Sequence, residues 1–286
     1  MAKRTLVTGS TGKTGGELLK LLVRNGLAVR AATRNPSAFP SRLPGAAEVV
    51  EFDFERPETF APALKGVGCL FLIARPGDNH ADKVVAPLID AARGANIDFI
   101  VNVTAIGVEQ DETFMLRKLE RYIEASEIPC AHLRPNWFMQ NFNSGPMLAD
   151  IRKTAALHLP ADDARISFID VRDIAAAAFA VLTQSHHAGK AYTLTGNEAL
   201  SHFEVVEKIS RVAGKTISYM PISEAAARSG LAAGGVPAEL IDRWTEFYRK
   251  IRIGFCSSIS QDVEMLLGRP PISFDQYAGD HAAAWR

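Results

Sequence analysis

Near its beginning the chain reads Thr5-Leu-Val-Thr-Gly-Ser-Thr-Gly-Lys-Thr-Gly-Gly16, and an amphipathic run with three leucines follows at residues 18–22. This is the order of a buried strand, a glycine turn and a helix. Gly9 would permit a sharp turn, Gly12 would let an anion approach the backbone, and Gly15 would let the helix pack on the sheet. The stretch therefore predicts a phosphate-binding loop after the first strand, although its Gly-x-x-Gly-x-x-Gly spacing also fits an ordinary turn.

Short apolar runs alternate with segments of helical periodicity as far as about residue 170. Most of these runs are continuously apolar, as strands buried on both faces are. The fold class is therefore α/β, with a doubly wound parallel sheet covered by helices on both faces. Six parallel strands are predicted, at residues 5–8, 28–33, 48–52, 69–73, 99–104 and 131–134.

The pattern changes after Arg134, and this change predicts a division of the chain. We expect residues 1–150 to form the nucleotide-binding core and residues 151–286 to form a smaller lobe interleaved with it. The later part is predicted to contain a strand–helix unit at 166–182, strands at 191–194 and 216–220, a helix opened by a capping box of Ser201 and Glu204, and mostly helix from residue 223 onward.

Composition limits the classes of partner. The 286 residues include 32 Lys plus Arg and 32 Asp plus Glu, and no local basic patch that would gather nucleic acid. The longest apolar run, residues 174–182, is too short to span a bilayer, and the first residues do not resemble a signal peptide. The three cysteines and seven histidines show no metal-ligand spacing. We therefore expect a cytoplasmic protein with a small-molecule substrate, no metal, no nucleic acid and no membrane partner, as a monomer or a homodimer.

The end of the second strand bears on the choice of nucleotide. Nucleotides without a 2′-phosphate are usually held there by a carboxylate, whereas a 2′-phosphate requires Arg or Lys. Here the chain offers Arg34, with Lys13 in the glycine loop, and no acid. This favours NADP(H), with NAD(H) still possible. Arg34 could instead be a solvated turn residue, and Asp53 could either accept from an adenine amino group or be a polar residue at a strand end.

Several segments together resemble one family. They are Gly9-x-x-Gly12-x-x-Gly15, Arg34-Asn-Pro36, Asp53-Phe54, Ile100 to Ala105, Ile128-Pro129, Leu133-Arg-Pro-Asn-Trp-Phe-Met-Gln-Asn-Phe142 and Phe168-Ile-Asp-Val-Arg-Asp-Ile174. Over nearly its whole length the chain resembles the NmrA-like family of atypical short-chain dehydrogenases/reductases, and it is similar to the quinone reductase, triphenylmethane reductase and ergot-alkaloid iminium reductase branches. The resemblance implies a Rossmann fold with a smaller C-terminal α/β substrate lobe. Some members of the family are nucleotide-sensing regulators without catalytic activity.

The resemblance also implies which residues contact each ligand. The residues expected to bind the nucleotide are Gly9, Ser10, Thr11, Gly12, Lys13, Thr14, Gly15, Arg34, Asp53, Phe54, Ala74, Arg75, Thr104, Pro135 and Asn136. The substrate is expected to contact two or three of Trp137, Phe138, Met139 and Phe142, with the remainder packed in the core.

The expected catalytic helix departs from the short-chain dehydrogenase pattern Tyr-x-x-x-Lys. Phe114 stands at the Tyr position and has no proton to donate, and an alternative register places Leu116 where relatives have Lys or His. Lys118 could reach the nucleotide ribose or be a solvated lysine. Thr104 is the nearest remaining hydroxyl and a candidate for orienting the substrate, whereas Tyr122 lies on an apolar stripe that predicts a core position.

The missing acid restricts the chemistry. Reduction of an unactivated ketone needs a proton donor, whereas a quinone, an iminium ion or an arylmethane cation is already electrophilic. We therefore expect an NADPH-dependent oxidoreductase that transfers hydride to such an acceptor. The alternative is a regulator that senses NADP(H) without catalysis. An epimerase or dehydratase would need an acid–base pair that the sequence does not offer.

Overall fold

The computed structural model of the chain describes residues 4–39, 47–75 and 80–286, and it divides the chain into two compact units. The first unit comprises the described residues of Met1–Pro135 together with Val171–Leu194 and Met265–Gly268. The second comprises Asn136–Asp170, Thr195–Glu264 and Arg269–Arg286. The chain thus passes between the units several times, and it first does so after Pro135, earlier than the expected boundary near residue 150.

The described residues form nine strands and eleven α-helices, numbered here in chain order. The strands are β1 (Arg4–Val7), β2 (Val29–Thr33), β3 (Glu48–Glu51), β4 (Val67–Ile73), β5 (Phe99–Val103), β6 (Cys130–Pro135), β7 (Ala156–Leu159), β8 (Lys190–Leu194) and β9 (Ser218–Pro221). The helices are α1 (Lys13–Arg24), α2 (Phe60–Leu64), α3 (Ala81–Gly94), α4 (Met115–Ala125), α5 (Gly145–Thr154), α6 (Val171–Thr183), α7 (His202–Ala213), α8 (Glu224–Ala233), α9 (Ala238–Arg252), α10 (Asp262–Leu267) and α11 (Phe274–Asp280). Of the helices described, none is long and apolar enough to cross a membrane.

The first unit is built on one parallel sheet. Seven of the described strands form it, in the order β3-β2-β1-β4-β5-β6-β8. The six predicted strands are confirmed, and each boundary lies within two residues of the prediction. Helices α1 and α6 pack together, as do α3 and α4, so the sheet is doubly wound as the sequence predicts.

Strand β8 belongs to the main sheet and not to the smaller lobe, where residues 191–194 are predicted to lie. It pairs in parallel with β6 and extends the sheet of the first unit. Helix α6 precedes β8 and packs against α1 of the same unit. The run from α6 to β8 therefore completes a further crossover on the sheet, a pairing that local periodicity alone does not reveal.

The second unit has a small parallel sheet of β7 and β9 with helices around it. The predicted capping box is confirmed, because the Ser201 hydroxyl accepts from the Glu204 N–H while the Glu204 carboxylate accepts from the Ser201 N–H. The strand predicted near residue 166 is wrong, since Ile166 and Ile169 form only isolated bridges. Helix α5 and strand β7 were not predicted, because both are short and lack a clear apolar period.

Candidate functional site

The glycine loop, residues Gly9–Gly15, joins β1 to α1 at the point where the strand order of the sheet reverses. Nucleotides bind at such a reversal, outside the carboxyl ends of the strands. Gly9 has a φ of +59°, and a Cβ there would lie 2.5 Å from Cγ2 of Ile73. A Cβ on Gly15 would lie 2.3 Å from the carbonyl oxygen of Gly9. Gly9 therefore requires glycine because of its positive φ and the neighbouring end of β4, and Gly15 requires glycine because the start of α1 lies against the loop backbone.

Side-chain hydrogen bonds hold the loop to the neighbouring strands. The Ser10 hydroxyl donates to the carbonyl of Ala32 at 2.7 Å, and the Thr8 hydroxyl oxygen accepts from the N–H of Ile73 at 2.8 Å. The Thr14 hydroxyl, in contrast, is buried and has no hydrogen-bond partner among the described residues. A buried hydroxyl without a partner costs free energy, and a phosphate at this position would supply the partner. The residues present therefore fit a nucleotide phosphate.

The start of α1 completes this anion site. Thr11, Gly12 and Lys13 are exposed there, and the first turn of α1 contains no acidic residue. The first N–H groups of a helix have no acceptor within the helix, and they carry partial positive charge. Partial burial lowers the pKa of the Lys13 amine, although the residue remains exposed. The whole glycine loop thus presents donors and positive charge.

Arg34 lies immediately after β2, at the same edge of the sheet as the glycine loop. Its side chain is exposed, and it makes no ion pair with any residue within 4–39, 47–75 and 80–286. No carboxylate in the described part of the chain therefore competes with a phosphate for this guanidinium. Both earlier interpretations, a 2′-phosphate ligand and a solvated turn residue, agree with this geometry.

Asp53 and Phe54 follow β3 and differ in how much of their side chains a ligand could contact. One Asp53 carboxylate oxygen accepts from the N–H of Glu55 at 3.1 Å, and the carboxylate remains partly exposed. The ring of Phe54 is buried edge-to-face against Phe52, with the ring centroids 4.9 Å apart. Asp53 can therefore offer a side-chain acceptor to a ligand, whereas Phe54 can offer little more than its backbone.

Ala74 and Arg75 follow β4, and Pro135 is the last residue of β6. Ala74 is partly buried against the core of the first unit, and Arg75 pairs with Glu55 at 2.8 Å. These residues lie at the carboxyl ends of their strands, which is the edge where the glycine loop also lies. The first unit therefore gathers nearly all of the expected nucleotide-binding positions along one edge of its sheet.

Asn136 belongs to the second unit, and its side chain is already occupied there. Its amide nitrogen donates to the Ser167 hydroxyl at 2.7 Å and to the carbonyl of Cys256 at 2.8 Å, while its amide oxygen accepts from the N–H of Trp137. Both amide protons are used in these bonds. Asn136 thus has no side-chain donor left for a nucleotide.

Thr104 follows β5 and joins a buried charge cluster in the first unit. Its hydroxyl donates to Oε1 of Glu120 at 2.8 Å, and the Glu120 side chain is fully buried. Arg134 donates to both carboxylate oxygens, at 3.0 and 2.8 Å, and Arg117 donates to Oε2 at 2.7 Å. Burial would raise the pKa of Glu120, but the bond from Arg134, the charge of His132 and the bond from Arg117 outweigh it and lower that pKa. Glu120 is therefore a carboxylate with all its lone pairs engaged.

The expected catalytic helix begins later than the Tyr-x-x-x-Lys pattern implies. Helix α4 starts at Met115, and Phe114 precedes it with an extended backbone. Lys118 lies on the exposed face of α4, a position that agrees both with contact to a ribose and with a solvated lysine. The expectation that Tyr122 is a core residue is wrong, because Tyr122 is 39% exposed and its hydroxyl donates to Asp90 at 2.8 Å. The polar end of the ring needs a partner, which it finds on α3 at the surface.

The four residues expected near the substrate divide into two pairs within the second unit. Met139 and Phe142 are buried, and Phe142 lies edge-to-face against Phe168. Trp137 and Phe138 each keep part of their surface exposed, and Trp137 stacks on Phe247 with the ring centroids 5.3 Å apart and an interplanar angle of 8°. Trp137 and Phe138 are therefore the two with surface left for a ligand.

Sequence reasoning missed Glu120, although a signal was present. Glu120 follows the buried Leu119 and precedes the buried Ile123 by one turn, so a carboxylate stands beside the apolar face of α4. A buried carboxylate requires cationic partners, and the sequence offers Arg134, in the strand that follows α4, as such a partner.

In the described residues, no group of three His, Cys, Asp or Glu side chains could hold a metal ion.

Comparison with known proteins extends over almost the full chain. The chain is 30% identical to "NAD(P)H azoreductase" of Xenophilus azovorans, over 98% of each protein. It is 31% identical to "(4-alkanoyl-5-oxo-2,5-dihydrofuran-3-yl)methyl phosphate reductase" of Streptomyces griseus subsp. griseus, again over 98% of each.

Among solved structures, the chain is similar to the Citrobacter sp. triphenylmethane reductase complexed with NADP(H). The identity is 26% and the TM-score 0.83, and the match covers 98% of this chain and 99% of that one. The family model described as "NmrA-like family" matches residues 1–250. The family that the sequence resembles is thereby confirmed, and the chain belongs to the NmrA-like family.

Proposed function

We propose that the protein is an NADPH-dependent oxidoreductase that transfers hydride to an activated organic acceptor. The observation that carries this proposal is the glycine loop: among the described residues the buried Thr14 hydroxyl has no partner, and it lies in the first turn of α1, whose N–H groups can bind an anion. Arg34, without a carboxylate partner in the described chain, favours a nucleotide with a 2′-phosphate. The relatives named as reductases, one of them complexed with NADP(H), support the same class.

Two side chains explain why the acceptor has to be activated. Phe114 has no hydroxyl, and the Thr104 hydroxyl already gives its proton to Glu120. Neither position that usually serves a carbonyl substrate in short-chain dehydrogenases therefore holds a free donor. When bound, the nicotinamide supplies the hydride. The chain itself would bind and orient the two reactants without adding a proton.

The acceptor class follows from the surface that remains available. Trp137 and Phe138 keep part of their surface exposed in the second unit, and aromatic side chains favour planar, conjugated or cationic ligands. Two relatives are named for azo and triphenylmethane reduction. We therefore propose a quinone, an iminium ion or an arylmethane cation as the acceptor.

The remaining expectations stay part of this proposal. The first unit would bind the nucleotide, and the second unit would supply the smaller substrate lobe. The balanced charge supports a small-molecule substrate rather than nucleic acid. The protein would act in the cytoplasm, as a monomer or a homodimer.

The test is turnover of NADPH by the purified protein with a panel of acceptors. The panel contains quinones, cyclic iminium ions and triarylmethane dyes, with cyclohexanone as an unactivated control. We expect turnover with at least one activated class and none with cyclohexanone. Tight NADPH binding without turnover of any acceptor would contradict the enzyme and support the nucleotide-sensing regulator instead.

A further inference from the structure

The Glu120 carboxylate is the centre of a hydrogen-bonded cluster that the proposed reaction does not yet use. It is fully buried, and the two-pronged bond from Arg134 fixes its orientation. Oε1 also accepts a hydrogen bond from the Thr104 hydroxyl, and Oε2 accepts one from the Arg117 guanidinium. Such charge-assisted, bidentate bonds are strong and directional, so the cluster holds Thr104 in one orientation.

The charge of Glu120 decides whether the Thr104 hydroxyl donates or accepts in the hydrogen bond between them. The pKa of the Glu120 carboxyl is lowered despite burial, chiefly because of the bond from Arg134, and an ionised carboxylate can only accept hydrogen bonds. Thr104 must therefore be the donor in the 2.8 Å bond between them. A threonine hydroxyl has one proton and two lone pairs, so toward any further partner Thr104 can act only as an acceptor.

The position of Thr104 indicates which partner that is. Thr104 follows β5 and keeps 8% of its surface exposed, while the glycine loop follows β1. In a doubly wound sheet the two halves of a dinucleotide lie on opposite sides of the reversal in strand order. Arg34 and Asp53 lie on the β2 and β3 side, which leaves the β4 and β5 side for the nicotinamide half.

We propose that Glu120 is a positioning residue that fixes the Thr104 hydroxyl as a hydrogen-bond acceptor for an N–H or O–H donor on the nicotinamide riboside. The inference rests on the proposed use of NADPH. It assigns to Thr104 a contact with the nucleotide rather than with the acceptor. It also predicts that Glu120 influences nucleotide binding without touching the nucleotide.

The test compares the dissociation constants of two ligands by calorimetric titration. NADPH carries the nicotinamide riboside, whereas 2′-phospho-ADP carries the rest of the nucleotide without that riboside. Thr104→Val should weaken the binding of NADPH by about fivefold to tenfold, the effect of one lost hydrogen bond, and leave the dissociation constant of 2′-phospho-ADP within about twofold of the wild-type value. Thr104→Ser keeps the hydroxyl and should retain wild-type affinity for both ligands.

Glu120 is tested by a variant that keeps the charge. Glu120→Asp retracts the carboxylate from Thr104, and it should weaken the binding of NADPH but not that of the ligand without the nicotinamide riboside. In the double variant with Thr104→Val it should cause little further loss of NADPH affinity. Arg121→Gln is the matched control, because Arg121 lies on the same helix and pairs with Glu112 and Glu124 rather than with Glu120. It should leave the ratio of the two dissociation constants unchanged.

The outcomes separate this inference from the proposed function. If the wild type binds no NADPH, the proposed function fails. If the wild type binds NADPH, the inference alone is overturned when Thr104→Val leaves that affinity unchanged or when the variants weaken both ligands equally.

Discussion

At the scale of single residues, the choice between NADP(H) and NAD(H) falls on Arg34, which is exposed and free of ion pairs in the described part of the chain. Removing a guanidinium that binds a phosphate costs about 2 to 5 kcal/mol. Arg34→Ala should therefore reduce the binding free energy of NADPH by that amount and leave that of NADH nearly unchanged, as measured by calorimetric titration of both nucleotides.

A second exposed arginine provides the control for this prediction. Arg24 ends α1, away from the glycine loop at the helix start, and Arg24→Ala removes the same charge. It should leave the affinity for both nucleotides unchanged. Equal losses for NADPH and NADH in Arg34→Ala would show that Arg34 does not recognise the 2′-phosphate.

At the scale of elements, the glycine loop and α1 act as one anion-binding unit. Gly12 has ordinary backbone angles, and a Cβ there would lie 3.1 Å from the Gly9 carbonyl oxygen, a contact that a small adjustment relieves. A valine side chain would nevertheless occupy the space in front of the helix start. Gly12→Val should therefore remove NADPH binding, measured by titration, while circular dichroism shows a retained fold.

Gly94 offers a matched substitution at the end of α3. A Cβ at Gly94 meets no atom within 4 Å, so Gly94→Val introduces the same side chain without a local clash. This variant should bind NADPH with wild-type affinity. If Gly12→Val were folded and bound NADPH equally well, the phosphate would have to bind elsewhere.

The elements differ in how far the sequence could predict them. The strands of the main sheet were found because they are short, apolar and β-branched, and the first helix because glycines and leucines mark its start. Strand β8 was found but placed in the wrong unit, because strand pairing depends on contacts between distant parts of the chain. The strand near Ile166 was wrong because an apolar run alone does not decide whether a partner strand exists.

The same distinction holds for the candidate site. The glycine loop and Arg34 could be located because their residue types and spacing have a direct chemical meaning. The cluster around Glu120 could not, because it joins β5, α4 and β6 through buried side chains. Tyr122 was misjudged because helical periodicity does not show where the polar end of a ring finds its partner.

At the scale of the whole molecule, a buried histidine links stability to pH. His202 packs against Phe142, Phe168 and Tyr219, and neither ring nitrogen has a hydrogen-bond partner among the described residues. Burial lowers its pKa from 6.5 to about 4. Between these values the unfolded chain binds a proton that the folded chain does not. The second unit should therefore lose about 3 kcal/mol of stability as the pH falls from 6.5 to 4.

Urea unfolding at pH 7 and pH 4 measures this loss. Tryptophan fluorescence is a suitable probe, because Trp137, Trp244 and Trp285 all lie in the second unit. His202→Leu should reduce the difference in unfolding free energy between the two pH values by about 3 kcal/mol. The exposed His186, changed to Asn, should leave that difference as in the wild type. An unchanged difference in His202→Leu would show that another group carries the acid sensitivity.

The central claim is that hydride transfer proceeds without a proton donor from the protein. It is tested most directly by the single-turnover rate of acceptor reduction with ordinary and deuterated NADPH between pH 5 and pH 9, using an acceptor that turns over. We expect an isotope-sensitive rate that does not change with pH, and Phe114→Tyr should give little gain. A steep loss of that rate at high pH, with a limb that shifts on changing Lys118 or Thr104, would show that a protein acid takes part and would contradict the claim.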